Sequence, residues 1–409
     1  FDTTTHQGAE EVMDRSHSGT GELKLALRIL KELLAEGHIP QAVFDAKKAK
    51  IYDNALGEFA DDSSAMELAP PRLLEENMGE LTIQSVDDAF VAKAYEWQKL
   101  LGTGGFGEVA MSRHAKSGGV YAVKKADKSS MGEAARAMVV SEAKILYACR
   151  HPNIVRLYEC FETPSNFFLV LELLTGGELL DRIIDSEDGH YTERDAACVT
   201  YQILSALECM HRRGIMHRDI KLENIILNDP VTLTDVKLVD FGFAVRVGDA
   251  PLTRGMGTTG FMAPEMLEEP CRGYGLPADM FSVGVMLYII LTGFEPFVGD
   301  NDEQTRELTL ACLYDKDKMT SSCSPGAVEL VEALINRDPT KRPTARQCLN
   351  QYAWLRGHGA NNTAMDNVKG ELRTLKARRR FKKGVLATMA ITRMGRLVSA
   401  IGKAAEESA

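Results

Sequence analysis

Two short segments constrain this chain more than any others: His217-Arg218-Asp219-Ile220-Lys221-Leu222-Glu223-Asn224 and, sixteen residues after Asn224, Asp240-Phe241-Gly242. The alternating run Val236-Lys237-Leu238-Val239 leads into the second segment and reads as a strand, so a β-hairpin between the segments brings two polar loops to one edge. The residue types at that edge suit a specific chemistry. Asp219 offers a carboxylate that can accept a proton from a hydroxyl, and Lys221, two residues on, offers a cation for negative charge developing beside it. Asn224 and Asp240 supply an amide oxygen and a carboxylate, a partial oxygen set for Mg²⁺ that leaves room for phosphates and water.

With 409 residues the chain is too long for one ordinary core and suits two lobes with appendages. Eight cysteines without a C-x-x-C pair suggest neither a zinc ribbon nor a disulfide framework, which fits a reducing compartment, cytoplasmic or nuclear. The apolar run from Phe281 to Phe294 is too short to span a bilayer, and no signal peptide is visible. The chain opens on Phe1 rather than Met, as a fragment would. Its net charge of −10 is asymmetric, because residues 369–403 hold eleven Lys or Arg against one acid. A basic tail on an acidic body suggests docking on that body or on an acidic protein partner, and no nucleic-acid partner is expected.

Residues 1–20 are polar and read as disordered. Leu23, Leu27, Leu30 and Leu34 recur at helical spacing, Gly37 is placed as a C-cap and Pro40 opens a second segment, so 21–53 reads as a helical hairpin. The stretch from Leu30 to Ile51 resembles the SHOCT-type module, which implies docking or oligomerisation; an amphipathic pair packed on the next domain accounts for the pattern as well. Residues 54–94 are acidic, contain Pro70-Pro71 and read as a linker. Strand-like segments alternate with turns from Tyr95, and helical patterns follow Gly176 as far as Leu355. The expected fold class is therefore α+β, a small sheet-rich lobe ahead of a larger helical one.

Leu101, Gly102, Gly104, Gly107 and Val109 form a G-x-G-x-x-G hairpin whose glycines let backbone close over phosphates. Lys124 follows in the strand Tyr121-Ala122-Val123-Lys124, and Glu142 lies eighteen residues further on in a helical segment. With the two loops above, these motifs resemble protein kinases over residues 95–355. The resemblance implies a bilobal kinase fold with ATP and Mg²⁺ as cofactors and Lys124 paired with Glu142 over the α- and β-phosphates. It implies Asp219 as base, Lys221 beside it, and Asn224 and Asp240 as metal ligands. An adenine hinge at Leu171 to Leu174 would bond the base through the backbone of Glu172 and Leu174, with Ala122, Val109 and Ile226 sandwiching the ring. Glu265 of Ala263-Pro264-Glu265 should pair with Arg342, and Asp279 should hold the catalytic-loop backbone. Lys221 and Thr258 resemble the serine/threonine class. The Gly176-Gly177-Glu178 turn resembles the calmodulin-dependent group, so Glu178 and Glu223 are expected to face an arginine upstream of the acceptor in protein substrates; two solvated surface acids are the plainer reading. Leu222, Thr259 and Phe281 depart from the usual Pro, Pro and Trp, and Thr259 puts the substrate groove in doubt. Arg218 beside the base leaves Thr253 as the candidate activation-loop phosphosite.

Residues 369–403 resemble the autoinhibitory, calmodulin-binding helix of calmodulin-dependent kinase II. Phe381, Val385 and Met389 share one helical face and Met394 lies thirteen residues beyond Phe381, anchors suited to a Met-lined acidic clamp. Residues 356–368 are left as a linker, and Val368 stands at the family's autophosphorylated Thr. No D-x-D-x-D-G loop indicates a built-in EF-hand. Two alternatives keep other classes open: a Ca²⁺-independent kinase whose basic tail binds membranes, and a pseudokinase scaffold, against which the presence of Lys124, Asp219, Asn224 and Asp240 speaks.

Overall fold

Period-two alternation decides the smaller lobe. In the computed structural model, which describes residues 81–379 apart from 105–106, 186–190, 231, 249–251 and 366, six strands form one sheet in the order β1-β5-β6-β4-β3-β2. They are β1 (Gln84–Ser85), β2 (Tyr95–Gly104), β3 (Gly107–His114), β4 (Val120–Asp127), β5 (Leu157–Glu162) and β6 (Asn166–Leu171). Along β6, Phe167 and Leu169 join one apolar cluster while Phe168 and Val170 join the other, so the strand is buried on both faces. All neighbours pair antiparallel except β1, which runs parallel to β5. Gly107, at φ +140, closes the β2–β3 hairpin where a Cβ would lie 1.9 Å from the Lys125 carbonyl oxygen.

The stretch up to residue 94, expected as linker, is ordered at its end. Besides β1 it forms α1 (Asp88–Ala94), whose N-cap Asp87 accepts from the Phe90 N–H at 2.6 Å. The expected disorder of 1–20, the hairpin of 21–53 and the linker to residue 80 lie outside the described residues, as do Phe381, Val385, Met389 and Met394. Helix α2 (Glu133–Ala148) packs on the sheet and carries Glu142.

The larger lobe holds α3 (Leu179–Asp185), α4 (Glu193–His211), α5 (Pro264–Leu267), α6 (Pro277–Thr292), α7 (Asp302–Ala311), α8 (Asp317–Thr320), α9 (Pro325–Leu334) and α10 (Ala345–Gln351). Every residue of α6 from Ala278 to Thr292 is buried, as an apolar helix without a polar face must be. Pro277 opens it and Gly293, at φ +82, ends it. Two short antiparallel pairs, β7 (Ile215–Met216) with β10 (Val245–Arg246) and, between them in sequence, the hairpin of β8 (Ile225–Leu227) with β9 (Val236–Leu238), set the two polar loops side by side. Residues 367–379 form a further helix, α11, so the linker expected to reach 368 ends earlier. No helix among the described residues is long and apolar enough to cross a membrane.

Arg342 is almost fully buried and grips Glu265 with two nitrogens at 2.6 and 2.8 Å. Its guanidinium carbon also lies 5.0 Å from the Phe281 ring centroid, so the ring face serves as a shelf for the cation. Breaking such a pair leaves an uncompensated charge, and Arg342→Ala is expected to cost about 3–5 kcal/mol in urea unfolding.

Candidate active site

The site is assembled on backbone held by one carboxylate. Asp279, near the start of α6, accepts the His217 N–H and the Arg218 N–H at 2.9 Å each, and His211 Nε2 lies 2.9 Å away. Just past these two N–H groups the backbone turns sharply, for Arg218 adopts φ 69, a conformation non-glycine residues seldom take, and the turn leads the chain into Asp219. Burial alone would raise the Asp279 carboxyl; the His211 bond and the charges and N–H groups around it hold it below its ordinary value.

That backbone presents Asp219. Its Oδ2 accepts from Lys221 Nζ at 2.6 Å and from Asn224 Nδ2 at 3.0 Å, and its Oδ1 accepts from the Thr258 hydroxyl at 2.7 Å. Lys221 Nζ also reaches Thr258 Oγ1 at 2.9 Å, so four side chains from two segments close a network. Burial pushes the Asp219 carboxyl up, but the bonds from Lys221 and Thr258 outweigh it and keep the group below the usual carboxylate range. Asn224 spends its NH₂ on Asp219, which leaves its amide oxygen for a cation. The Val239 N–H donates to the Asn224 carbonyl at 2.9 Å and so ties the next residue, Asp240, to the same edge, where it is exposed at φ 59. An amide oxygen and one carboxylate fit a small divalent ion that keeps water and phosphate ligands; among the described residues no group of three or more His, Cys, Asp or Glu could hold a metal alone.

Across the cleft Lys124 Nζ meets both Glu142 oxygens at 2.7 and 2.8 Å. Burial drives the Glu142 carboxyl above its ordinary value while Lys124 pulls it down. Ala122 is buried, and Val109, Ile226 and Leu174 are half-buried, whereas Leu101 and Gly102 are exposed. Gly104 pairs with Gly107 across the hairpin. The Glu172 N–H is already given to the Arg156 carbonyl at 2.9 Å, so of the two Glu172 backbone groups the carbonyl is the one left for an adenine. Arg218 Nε donates to the Phe243 carbonyl at 2.6 Å, and Thr253 is exposed.

The family model that matches residues 95–355 is described as "Protein kinase domain". The chain belongs to this family. Among its relatives, the human calcium/calmodulin-dependent protein kinase type IV is 42% identical over 274 residues, 66% of this chain and 56% of that protein. The rat calcium/calmodulin-dependent protein kinase type 1B is 35% identical over 300 residues, 73% of this chain and 86% of the relative. Myosin light chain kinase A of Dictyostelium discoideum is 37% identical over 281 residues, 68% of this chain and 93% of the relative. The chain thus spans about 56% of the length of the type IV relative.

The chain holds a polar cluster that sequence reasoning foresaw only in part. α11 lies on the larger lobe through Val368, Leu372 and Leu375, all buried. Lys376 pairs with Asp181 at 2.5 Å, and Arg373 donates to the Ile184 carbonyl at 3.1 Å. Arg379 donates to Glu223 at 3.1 Å and to Glu295 at 2.6 and 3.0 Å, with its guanidinium 5.4 Å from the Phe261 centroid. Glu223 was expected to face an arginine; Glu295, in the loop after α6, was not singled out, because one acid in Gly-Phe-Glu-Pro-Phe carries no motif. Glu178 is exposed before α3, bridged through its backbone to Ile226.

Lys124→Met would leave Glu142 buried without its cation. The folded-state carboxyl then titrates still further above its unfolded value, so the folded form binds the extra proton and stability falls as pH rises. The loss in urea unfolding is expected to reach about 3 kcal/mol at pH 8 and to shrink towards pH 5.5.

Proposed function

We propose that this chain is an ATP-dependent serine/threonine protein kinase with a preference for substrates carrying an upstream arginine, autoinhibited by α11 and the basic segment beyond it and released by Ca²⁺-calmodulin. The observation that carries the reading is the seat of Arg379 between Glu223 and Glu295. A basic side chain of the chain's own tail fills an acidic notch on the residue next but one to Lys221, within the loop that presents Asp219. The kinship with calcium/calmodulin-dependent protein kinases supports the same regulation.

In this reading Asp219 orients the acceptor hydroxyl and takes its proton as the new O–P bond forms and the bond to the ADP oxygen breaks. Lys221, held by Thr258, offsets negative charge on the transferred phosphoryl group. Lys124, oriented by Glu142, holds the α- and β-phosphates. Asn224 and Asp240 would hold Mg²⁺, which supplies charge neutralisation between the phosphates. Val368 is buried and has no hydroxyl, so autonomy through phosphorylation at that position is absent.

The test is phosphate transfer to a serine peptide with an upstream arginine, with Mg-ATP, with and without Ca²⁺-calmodulin. Activity that is low alone and rises with calmodulin is expected, and Asp219→Asn should lower kcat by at least about 100-fold. Constant activity that follows acidic vesicles instead would replace calmodulin by a membrane surface as the trigger. No transfer in any state, with ATP bound, would leave a scaffold.

The notch itself predicts a paired effect. Glu295→Gln removes a charged acceptor from both the tail arginine and a substrate arginine, so calmodulin-independent activity rises while KM for the arginine peptide increases about tenfold. A lysine peptide, which cannot span two carboxylates with a planar fork, should lose less.

A further inference from the structure

Residues 81–94 precede the family match, which begins at Tyr95, yet they are built into the smaller lobe. β1 sets Gln84 opposite Phe161 and Ser85 opposite Glu162, and the Val86 N–H donates to the Glu162 carbonyl at 3.0 Å. The side chains around β1 straddle that sheet edge. Leu81 and Ile83 join the apolar cluster that holds Val139, Ala143, Ile145 and Leu146 of α2. Val86, Val91 and Ala94 join the cluster of the opposite face, with Tyr95 and Phe161.

A polar route runs beside the apolar one. The Asp88 carboxylate accepts from Thr163 Oγ1 at 2.6 Å, from Asn166 Nδ2 at 3.1 Å and from the Ser165 hydroxyl. Thr163 and Ser165 lie in the turn between β5 and β6, and Asn166 opens β6. From the same turn, the Thr163 carbonyl accepts from Lys128 Nζ at 2.6 Å, and the Lys128 carbonyl accepts from Arg136 Nη2 of α2 at 2.8 Å. Asp88 is therefore three hydrogen-bonded links from the helix that carries Glu142. The hydroxyls of Ser165 and Thr163 hold its carboxyl below the ordinary value, as acceptance of these bonds by the ionised form requires.

Nothing in the Lys124 to Glu142 pair itself fixes α2 at the distance the pair needs, and an error of about an ångström at such a site is costly. We propose that residues 81–94 are a positioning element for that pair: Leu81 and Ile83 seat α2 from the sheet edge, and Asp88 locks the β5–β6 turn that holds Lys128 and, through it, Arg136. The residues touch neither nucleotide nor peptide and act through α2.

A double-mutant cycle on the full chain tests this, with the Kd for Mg-ATP read by calorimetry, a quantity that needs no release of the tail. Leu81→Ala with Ile83→Ala, and separately Asp88→Ala, are expected to raise Kd about tenfold. In a Glu142→Gln background, where the pair is already lost, the same changes should alter Kd by less than about twofold. Asp88→Asn, which keeps an acceptor oxygen for Thr163, should recover part of the affinity. Equal losses in both backgrounds, or a lower thermal midpoint with unchanged Kd, would overturn the proposal and leave the flank as support for the fold alone. Asp88→Ala changes a half-exposed side chain and keeps the test available if the apolar double variant does not fold.

Discussion

A single buried carboxylate sets the frame on which the active site depends. Asp279 sits at the first turn of a helix with no exposed face, where an unpaired charge would cost several kcal/mol. It is tolerated because two backbone N–H groups and a histidine ring nitrogen converge on it. Those N–H groups belong to His217 and Arg218, so the carboxylate pins the peptide planes from which the left-handed turn at Arg218 leads to Asp219. Asp219 then needs no reorganisation, since Lys221, Thr258 and Asn224 already bond it.

The same economy joins the rest of the larger lobe. Arg342 bonds Glu265, the Asn336 carbonyl and the Pro277 carbonyl at the opening of α6, and it shelves on Phe281 of that helix. The helix that carries Asp279 is thereby tied to the end of the segment that carries Thr258. Rigidity in one place reaches the hydroxyl that steadies the base.

Much of this was legible because the chemistry is local in sequence. Asp219, Lys221 and Asn224 share one loop, and Lys124 with Glu142 sit on elements whose periodicity is plain. The α+β division was readable from the switch of strand-like to helical patterns near Gly176. Three features were not. β1 has two residues and exists only because β5 offers an unpaired edge, so no alternation announces it. Asp88 read as one more acid in an acidic stretch, since its three hydroxyl and amide donors arrive from a turn more than seventy residues away. Glu295 acquires meaning only when Arg379 comes to it, a pairing across 84 residues with no periodic trace.

The seating of α11 combines two forces that respond to different conditions. Its base is apolar: Val368, Leu372 and Leu375 are buried, and Gly293 admits the helix where a Cβ would come within 2.5 Å of the Glu371 Cβ. Its tip is ionic, with Lys376 on Asp181 and Arg379 on Glu223 and Glu295. Added salt screens the half-exposed tip and leaves the base untouched, or strengthens it if the salt is a kosmotrope. The helix is thus hinged by chemistry: ionic strength loosens the end that lies on the acidic notch, while the other end stays anchored and returns it.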